Sequence, residues 1–443
     1  MQLYSTNNTN VRVSFKEAVF NSMPADQGLY MPVEIPDLSG DPAGLGLAPG
    51  FMSDIEHYSF PEIAFQVALA LLGDDIPVED LKKLVEETIN FEAPVVKLDA
   101  QTFVLELFHG PSLAFKDFGA RFMSRVMGYF LKDGEQQLDV LVATSGDTGG
   151  AVALGFLGVP NTRVTILFPK GKVSEVQRLQ LTTNGANIRA IAVDGTFDDC
   201  QRLVKQAFAD EELNKRFRLT SANSINIARL IPQTFYYFNA YAQLKRQGYN
   251  DVAFVVPSGN FGNIGAGLFA AKMGLPVKQF VAATNANDTV PRFLEGGVYE
   301  ARPSVQTYAN AMDVGAPSNW VRIMDLFHGD QEVLKEKVSA FRFSDEDTLK
   351  GMHALDEQFN YVACPHTAIA WLGARAYQQQ HPEDTSTATV FLSTAHACKF
   401  PEIASAPVEL PEQVKSLYQK EEAYSELGND FEGFKAYLLE IES

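Results

Sequence analysis

The stretch LDVLVATSGDTGGAVALGFLG, residues 138–158, decides the fold. Its first six residues are apolar apart from Asp139, with the length and composition of a strand buried on both faces. A polar turn follows, Thr144-Ser145-Gly146-Asp147-Thr148-Gly149, and then AVALGFLG, an apolar helical stretch. The same order of strand, turn and helix recurs outward in both directions. TFVLEL leads into a helix through FHGPSLAFKDFG, RVTILFP is followed by VSEVQRLQLT, IRAIAVDG by FDDCQRLVKQAFAD, and DVAFVVPS by IGAGLFAAKMG. KQFVAATN and TATVFLST close the series. Strands alternating with helices predict an α/β architecture with open, mostly parallel sheets flanked by helices, and ligands at the carboxyl ends of the strands.

The regions outside this core read differently. Residues 1–95 are expected as a helical and loop-rich N-terminal domain, turn-rich from Pro32 to Gly50, with the helices PEIAFQVALALLG and VEDLKKLVEETINF. Residues 96–240 are expected to carry the lysine helix and the substrate-binding α/β region, including a small domain. Residues 241–443 read as a large α/β domain with an irregular insertion at about 289–356 and an acidic, solvated helical tail from Glu412.

Composition bounds the function. The 443 residues carry 46% hydrophobic and 21% charged side chains, enough for a large core. A net charge of -19 argues against nucleic-acid binding as the main task and makes any cationic cluster facing an anion a local island. Cys200, Cys364 and Cys398 lack CxxC spacing, so neither a disulfide framework nor a zinc site is expected, and a reducing cytosol fits. The seven histidines show no metal-ligand spacing. MQLYSTNNTN has no leader pattern and no apolar run reaches membrane-spanning length, so a cytoplasmic protein without membrane contact is expected.

Five segments carry candidate chemistry. In FHGPSLAFKDFGARF, residues 108–122, Pro111 and Ser112 read as a helix entry and cap, and Phe115, Phe118, Phe122 and Val126 recur at helical spacing. Lys116 then lies near a helix N-terminus in apolar company, where desolvation and the helix dipole both lower its pKa. Such a lysine suits Schiff-base chemistry; an ordinary solvated lysine is the alternative. The turn Ser258-Gly259-Asn260-Phe261-Gly262-Asn263 follows a strand and opens a helix, an anion cup without a nucleotide-binding signature, or else a plain turn. In the turn after residue 143, Thr144, Ser145 and Thr148 suit a carboxylate; the alternative is a plain turn with Asp147 as its N-cap. Asn223 and Ser224 precede Arg229, which lies about one helical turn on from Asn226 and suits a phosphate unless it is a surface residue. Thr394, at a strand end, can bond a ring nitrogen or be satisfied by backbone. Taken together, these are the parts of a pyridoxal phosphate site.

FHGPSLAFKDFG, ATSGDTGGA, SANSINIARLIPQTFYY, VPSGNFGNIGAG, STAHACKF and the opening FKEAVFNSMPADQGLYMP resemble the threonine synthases, in their longer bacterial and fungal form, over essentially the whole chain. These are pyridoxal 5'-phosphate enzymes of fold type II, the tryptophan synthase β type. The resemblance implies Lys116 as the cofactor lysine and proton shuttle. It implies Gly259, Asn260, Phe261, Gly262 and Asn263 around the cofactor phosphate, and Thr394 at the pyridine nitrogen. Thr144, Ser145 and Thr148 would meet the substrate carboxylate; Asn223, Ser224 and Arg229 would hold the substrate phosphate. Asp147 falls beside the cofactor ring, where shorter relatives often have Asn; an Asp there cannot donate a hydrogen bond unless protonated. The implied substrate is O-phospho-L-homoserine, a small molecule, with no nucleic-acid or membrane partner and a monomer or homodimer as the assembly. Dehydratases and cysteine synthase share the framework but take substrates without a γ-phosphate. A phospholyase on a related amino acid, or a catalytically silent binding relative, are the other readings.

Overall fold

The computed structural model describes residues 1–40, 44–131 and 137–440. Its strands are β1 (Gln2–Ser5), β2 (Asn8–Ser14), β3 (Tyr30–Pro32), β4 (Val95–Lys97), β5 (Thr102–Glu106), β6 (Leu138–Ala143), β7 (Thr162–Pro169), β8 (Ile188–Val193), β9 (Arg218–Ser221), β10 (Val252–Pro257), β11 (Gln279–Thr284), β12 (Val338–Arg342), β13 (Ala388–Ser393) and β14 (Ser425–Leu427). They form two α/β sheets and one small N-terminal sheet. The six-stranded sheet has the order β12-β11-β10-β13-β5-β4, and only β4 runs antiparallel. The five-stranded sheet, β14-β8-β7-β6-β9, is wholly parallel. Every residue of β6, β10 and β13 is buried, as the helices on both faces of parallel sheets require. The sheets do not follow chain order: β4 and β5 join strands of the C-terminal half, and β14 joins the other sheet, so regions 96–240 and 241–443 exchange strands.

Three expectations change. The N-terminal segment holds an antiparallel sheet, β2-β1-β3, not only helices and loops. Its strands are short, and β2, NTNVRVS, is polar with no buried residue, so it carries almost no strand signal. Region 289–356 is not an insertion between sheet elements. It supplies the edge strand β12 and four helices, Thr289–Gly296, Trp320–Leu326, Gln331–Lys337 and Asp345–Phe359. The tail is only partly solvated helix: β14 adds to the five-stranded sheet, and Phe434 and Leu438 pack into a core cluster with Leu203, Leu213 and Phe217.

The helix Ile227–Arg246 is buried along nearly its whole length. It packs against the helices Phe60–Leu72, Lys116–Phe130 and Gly262–Lys272, linking the N-terminal segment, the lysine helix and the helix opened by the glycine turn. Turns at the carboxyl ends of β5, β6, β9, β10 and β13 carry the candidate residues, as expected for this architecture. Among the described residues no helix is long and apolar enough to cross a membrane, and no group of His, Cys, Asp and Glu could hold a metal ion.

Candidate active site

Lys116 is the first residue of the helix Lys116–Phe130. The entry differs from expectation, since Ser112 is not its cap. Leu113 takes a left-handed backbone (φ 59°), the helix begins after Phe115, and no side chain caps it. The Ser112 amide instead donates to Asp117 Oδ2 at 2.9 Å. This uncommon turn is fixed to the end of β13: Phe115 N donates to the Thr394 carbonyl at 2.9 Å, and His396 N to the Leu113 carbonyl at 3.0 Å. A strained non-glycine residue held by such contacts is a feature of functional turns. Here it brings Thr394 beside the lysine turn.

The Lys116 ammonium is buried, 4.5 Å from the centre of the Phe115 ring. Burial and the nearby Arg229 charge lower its pKa to about 8, against the opposing pull of Asp147. An amine with this value is still mainly protonated near neutral pH but carries a far larger neutral fraction than an ordinary lysine, and in that form it can act as nucleophile and base.

In the glycine turn, the positive φ falls on Phe261 (57°), which caps the helix Gly262–Lys272 from a left-handed conformation. Gly259 serves a different close approach from the ligand contact expected of it: a Cβ there would lie 2.6 Å from the Cα of Met312. Asn263 Oδ1 accepts hydrogen bonds of 2.7 Å from both Tyr236 and Tyr237, which fixes its amide, and its buried Nδ2 has no partner. An oriented, unpartnered donor at a helix N-terminus fits an anion such as a cofactor phosphate. Asn260 Nδ2 donates to Ser224 Oγ at 2.6 Å, and Asn319 Nδ2 to the same oxygen at 3.1 Å. The two expected phosphate sites are therefore neighbours.

After β6, the N-cap residue is Gly146 rather than Asp147, and the Thr144 hydroxyl takes the bonds of the turn. Thr144 Oγ1 accepts from Gly146 N at 2.9 Å and Gly149 N at 2.8 Å, and Asp147 is the first residue of the helix Asp147–Phe156. Thr144 thus holds the turn, while Ser145 and Thr148 are its half-buried hydroxyls. Asp147 is buried and paired with Lys399 Nζ at 2.7 Å; Gln177 Nε2 donates to the same oxygen at 3.0 Å. Burial pushes the Asp147 carboxyl up, but the Lys399 charge and these hydrogen bonds outweigh it and hold the pKa below the usual value. Asp147 is therefore a carboxylate and a pure acceptor.

Asn223, expected at the substrate phosphate, is engaged elsewhere. Its amide bonds both backbone groups of Ala143, Oδ1 from N at 3.3 Å and Nδ2 to O at 2.8 Å, joining the ends of β6 and β9. Arg229 is no surface residue: it is 2% exposed. One guanidinium nitrogen donates to the Ala222 carbonyl, and its Nε is buried without a partner. Burial lowers its pKa to about 10, which leaves it charged at neutral pH.

Sequence reasoning missed the braces. Arg322 donates to the carbonyls of Ser224 (3.1 Å) and Ile225 (2.7 Å) and to Asn319 Oδ1 (2.8 Å), holding the Ser224 turn from a helix distant in sequence. His366 Nε2 accepts from Ala311 N at 3.2 Å; burial lowers its pKa to about 4, so it is neutral. Lys399 stands within STAHACKF, but nothing local distinguishes it from a surface lysine.

A buried amine beside unpartnered anion donors at helix starts suits a phosphorylated aldehyde, and residues 88–393 match the family of pyridoxal-phosphate dependent enzymes. Residues 2–89 match the threonine synthase N terminus, and residues 367–438 the threonine synthase C-terminal model. The threonine synthase of Serratia marcescens is 45% identical over 416 residues, 93% of this chain and 92% of that protein. The crystal structure of threonine synthase from Escherichia coli aligns with a TM-score of 0.90 at 40% identity over 100% of both chains. The pyridoxal-phosphate-bound threonine synthase of Brucella melitensis aligns at 0.89 and 35% identity over 99% of this chain and 98% of that one. The chain belongs to the threonine synthase family.

Proposed function

We propose that this chain makes L-threonine from O-phospho-L-homoserine and water, releasing phosphate. The observation that carries the reading is the buried Arg229, with an unpartnered Nε and a charge that acts on Lys116. A substrate phosphate is the partner such a group lacks.

Pyridoxal phosphate, when bound to Lys116, supplies the electron sink. The amides of the Gly259–Asn263 turn and the Asn263 side chain would hold its phosphate, and the neutral Thr394 hydroxyl would serve its ring nitrogen without protonating it. Asp147, as a carboxylate paired with Lys399, would accept but not donate toward the ring. Ser145 and Thr148, with amides of the turn that Thr144 holds, take the substrate carboxylate. Arg229 and Ser224 take the substrate phosphate; Asn223 ties their turn to β6. Lys116 Nζ, as neutral amine, removes the α proton, serves the proton transfers at Cβ and Cγ with the departing phosphate assisting, and returns a proton to Cα at the end. Arg229 gathers charge as the phosphate leaves, and water adds at Cβ. Burial of Lys116 and Arg229 keeps bulk water from both. The free, buried Cys200, Cys364 and Cys398 suit a reducing compartment, and the cytoplasm is our proposed location.

The test is an assay for phosphate and threonine released together from O-phosphohomoserine. Ammonia and a keto acid from serine or threonine instead would indicate a dehydratase. No product at all, without a visible cofactor band, would indicate a silent relative.

Gly119 on the lysine helix tests the phosphate arm independently. A Cβ there would lie 2.6 Å from Arg229 Nε and 3.2 Å from its carbonyl oxygen, so the guanidinium must move. Gly119→Ala is expected to lower kcat/KM for the phosphorylated substrate about tenfold, the effect of one lost charged hydrogen bond. Cofactor loading, read from the visible absorption, is expected to be retained. Unchanged kcat/KM would remove Arg229 from the site.

A further inference from the structure

Lys399 closes a short turn, Ala397–Lys399, just beyond Thr394, and is 0% exposed. Its ammonium contacts Asp147 Oδ1 at 2.7 Å and the Ser112 carbonyl at 3.1 Å. Gln180 Nε2 shares that carbonyl at 2.9 Å, and Gln177 Nε2 shares Asp147 Oδ1 at 3.0 Å. One buried cation thus joins three segments of the site: the turn before Lys116, the turn after β6 and the turn after β13. A fully buried ammonium persists only when paired and hydrogen-bonded, and so does a fully buried carboxylate.

The surroundings of Lys116 give this pair a consequence. Arg229 faces it from the helix Ile227–Arg246, Asp147 from the helix Asp147–Phe156, and the Phe115 ring from its own turn. Asp117, on its own helix, faces Ser112 and feels Lys399 and Arg121; burial pushes its pKa up to about 6. His366, from the helix Pro365–Gln380, is neutral. Without Lys399, Asp147 would stand as a bare carboxylate toward the lysine nitrogen.

We propose that Lys399 is a positioning residue of the reaction: its ion pair with Asp147 keeps that carboxylate ionised and turned to Gln177, and offsets part of its charge toward Lys116. Asp147 then acts on Lys116 together with Lys399, as a pair rather than as a lone carboxylate. The proposal rests on Lys116 being the cofactor lysine. That reading fails separately, if the wild-type holoenzyme shows no visible cofactor band.

The experiment is a pH titration of that band in the full-chain holoenzyme, with folding checked by thermal melting. The titrating proton sits on the Lys116 nitrogen, so the midpoint reads the local charge. Lys399→Met leaves an unpaired carboxylate and is expected to raise the midpoint by about one pH unit or more. Asp147→Asn leaves an unpaired ammonium and is expected to lower it by a similar amount. Asp147→Asn with Lys399→Met replaces a neutral pair by a neutral pair, and its midpoint should return close to the wild type; Lys399→Arg should keep it. Equal midpoints in the wild type and both single variants overturn the proposal, and so do shifts of both in the same direction. Should the single variants fail to fold, the double variant and Lys399→Arg decide: a midpoint displaced by about one unit in either overturns it.

Discussion

Lys116→Ala should abolish turnover while the protein stays folded, and a methionine at the same position should make the cofactor-free protein more stable. The first result follows from the absence of a substitute: Lys116 is the buried amine at the turn where the Thr394 and Arg229 segments meet, and the other buried lysine of the site, Lys399, is committed to Asp147. The second follows from the same burial. The Lys116 pKa falls from 10.5 to about 8, so the unfolded chain binds its proton more tightly than the folded one. Below about pH 8 the folded state bears the full penalty, on the order of 3 kcal/mol; the penalty shrinks as pH rises and is gone above about 10.5. Lys116→Met keeps the packing against Phe115 and removes the charge. Its gain in melting temperature should be largest at neutral pH and vanish toward pH 10.5. A stabilised but inactive variant is the signature of a site held at a cost to the fold. Near-normal turnover in a folded, cofactor-loaded Lys116→Ala protein would end the assignment, and a melting gain independent of pH would show that Lys116 is not desolvated.

How far the sequence carried the reading depends on whether a feature is local. β6, β10 and β13 are apolar runs ending in polar turns, and in a parallel sheet such runs announce both the strand and the place where a ligand sits. The segments around Lys116, Thr144, Asn223, Gly259 and Thr394 were legible for that reason. Backbone conformation was not. Leu113 and Phe261 carry the left-handed geometry that a reader assigns to glycine, in turns tied to residues distant in sequence: Thr394 and His396 at the Leu113 turn, Tyr236 and Tyr237 at Asn263. Long-range polar pairing was also hidden: Arg322 with the Ser224 turn, and Lys399 with Asp147, join residues that share no sequence pattern. The role of Asp147 shows the consequence. Read alone it is a helix cap or an acid near a ring; beside Lys399 it is half of an ion pair.

Arg229→Ala should cost about tenfold to a hundredfold in kcat/KM with O-phosphohomoserine, the effect of losing one charged hydrogen bond of about 1.5–3 kcal/mol. Part should appear in kcat, because a phosphate held as substrate is also held as it departs and gathers charge. The structure adds a second, electrostatic effect. Arg229 is one of the causes that lower the Lys116 pKa, so its removal should raise that value and move the acid limb of the kcat/KM profile to higher pH. Arg229→Lys should therefore separate the two. It restores the charge and with it the pH profile, but an ammonium lacks the planar fork that meets a phosphate, so affinity recovers only in part. Stability must be followed alongside, since Arg229 also satisfies the Ala222 carbonyl and fills buried space against Gly119. Inhibition by inorganic phosphate or a phosphonate analogue should weaken in parallel with kcat/KM, while the visible cofactor band persists. If Arg229→Ala leaves both kcat/KM and phosphonate inhibition unchanged, the unpartnered Nε faces no phosphate, and the substrate must be sought among amino acids without one.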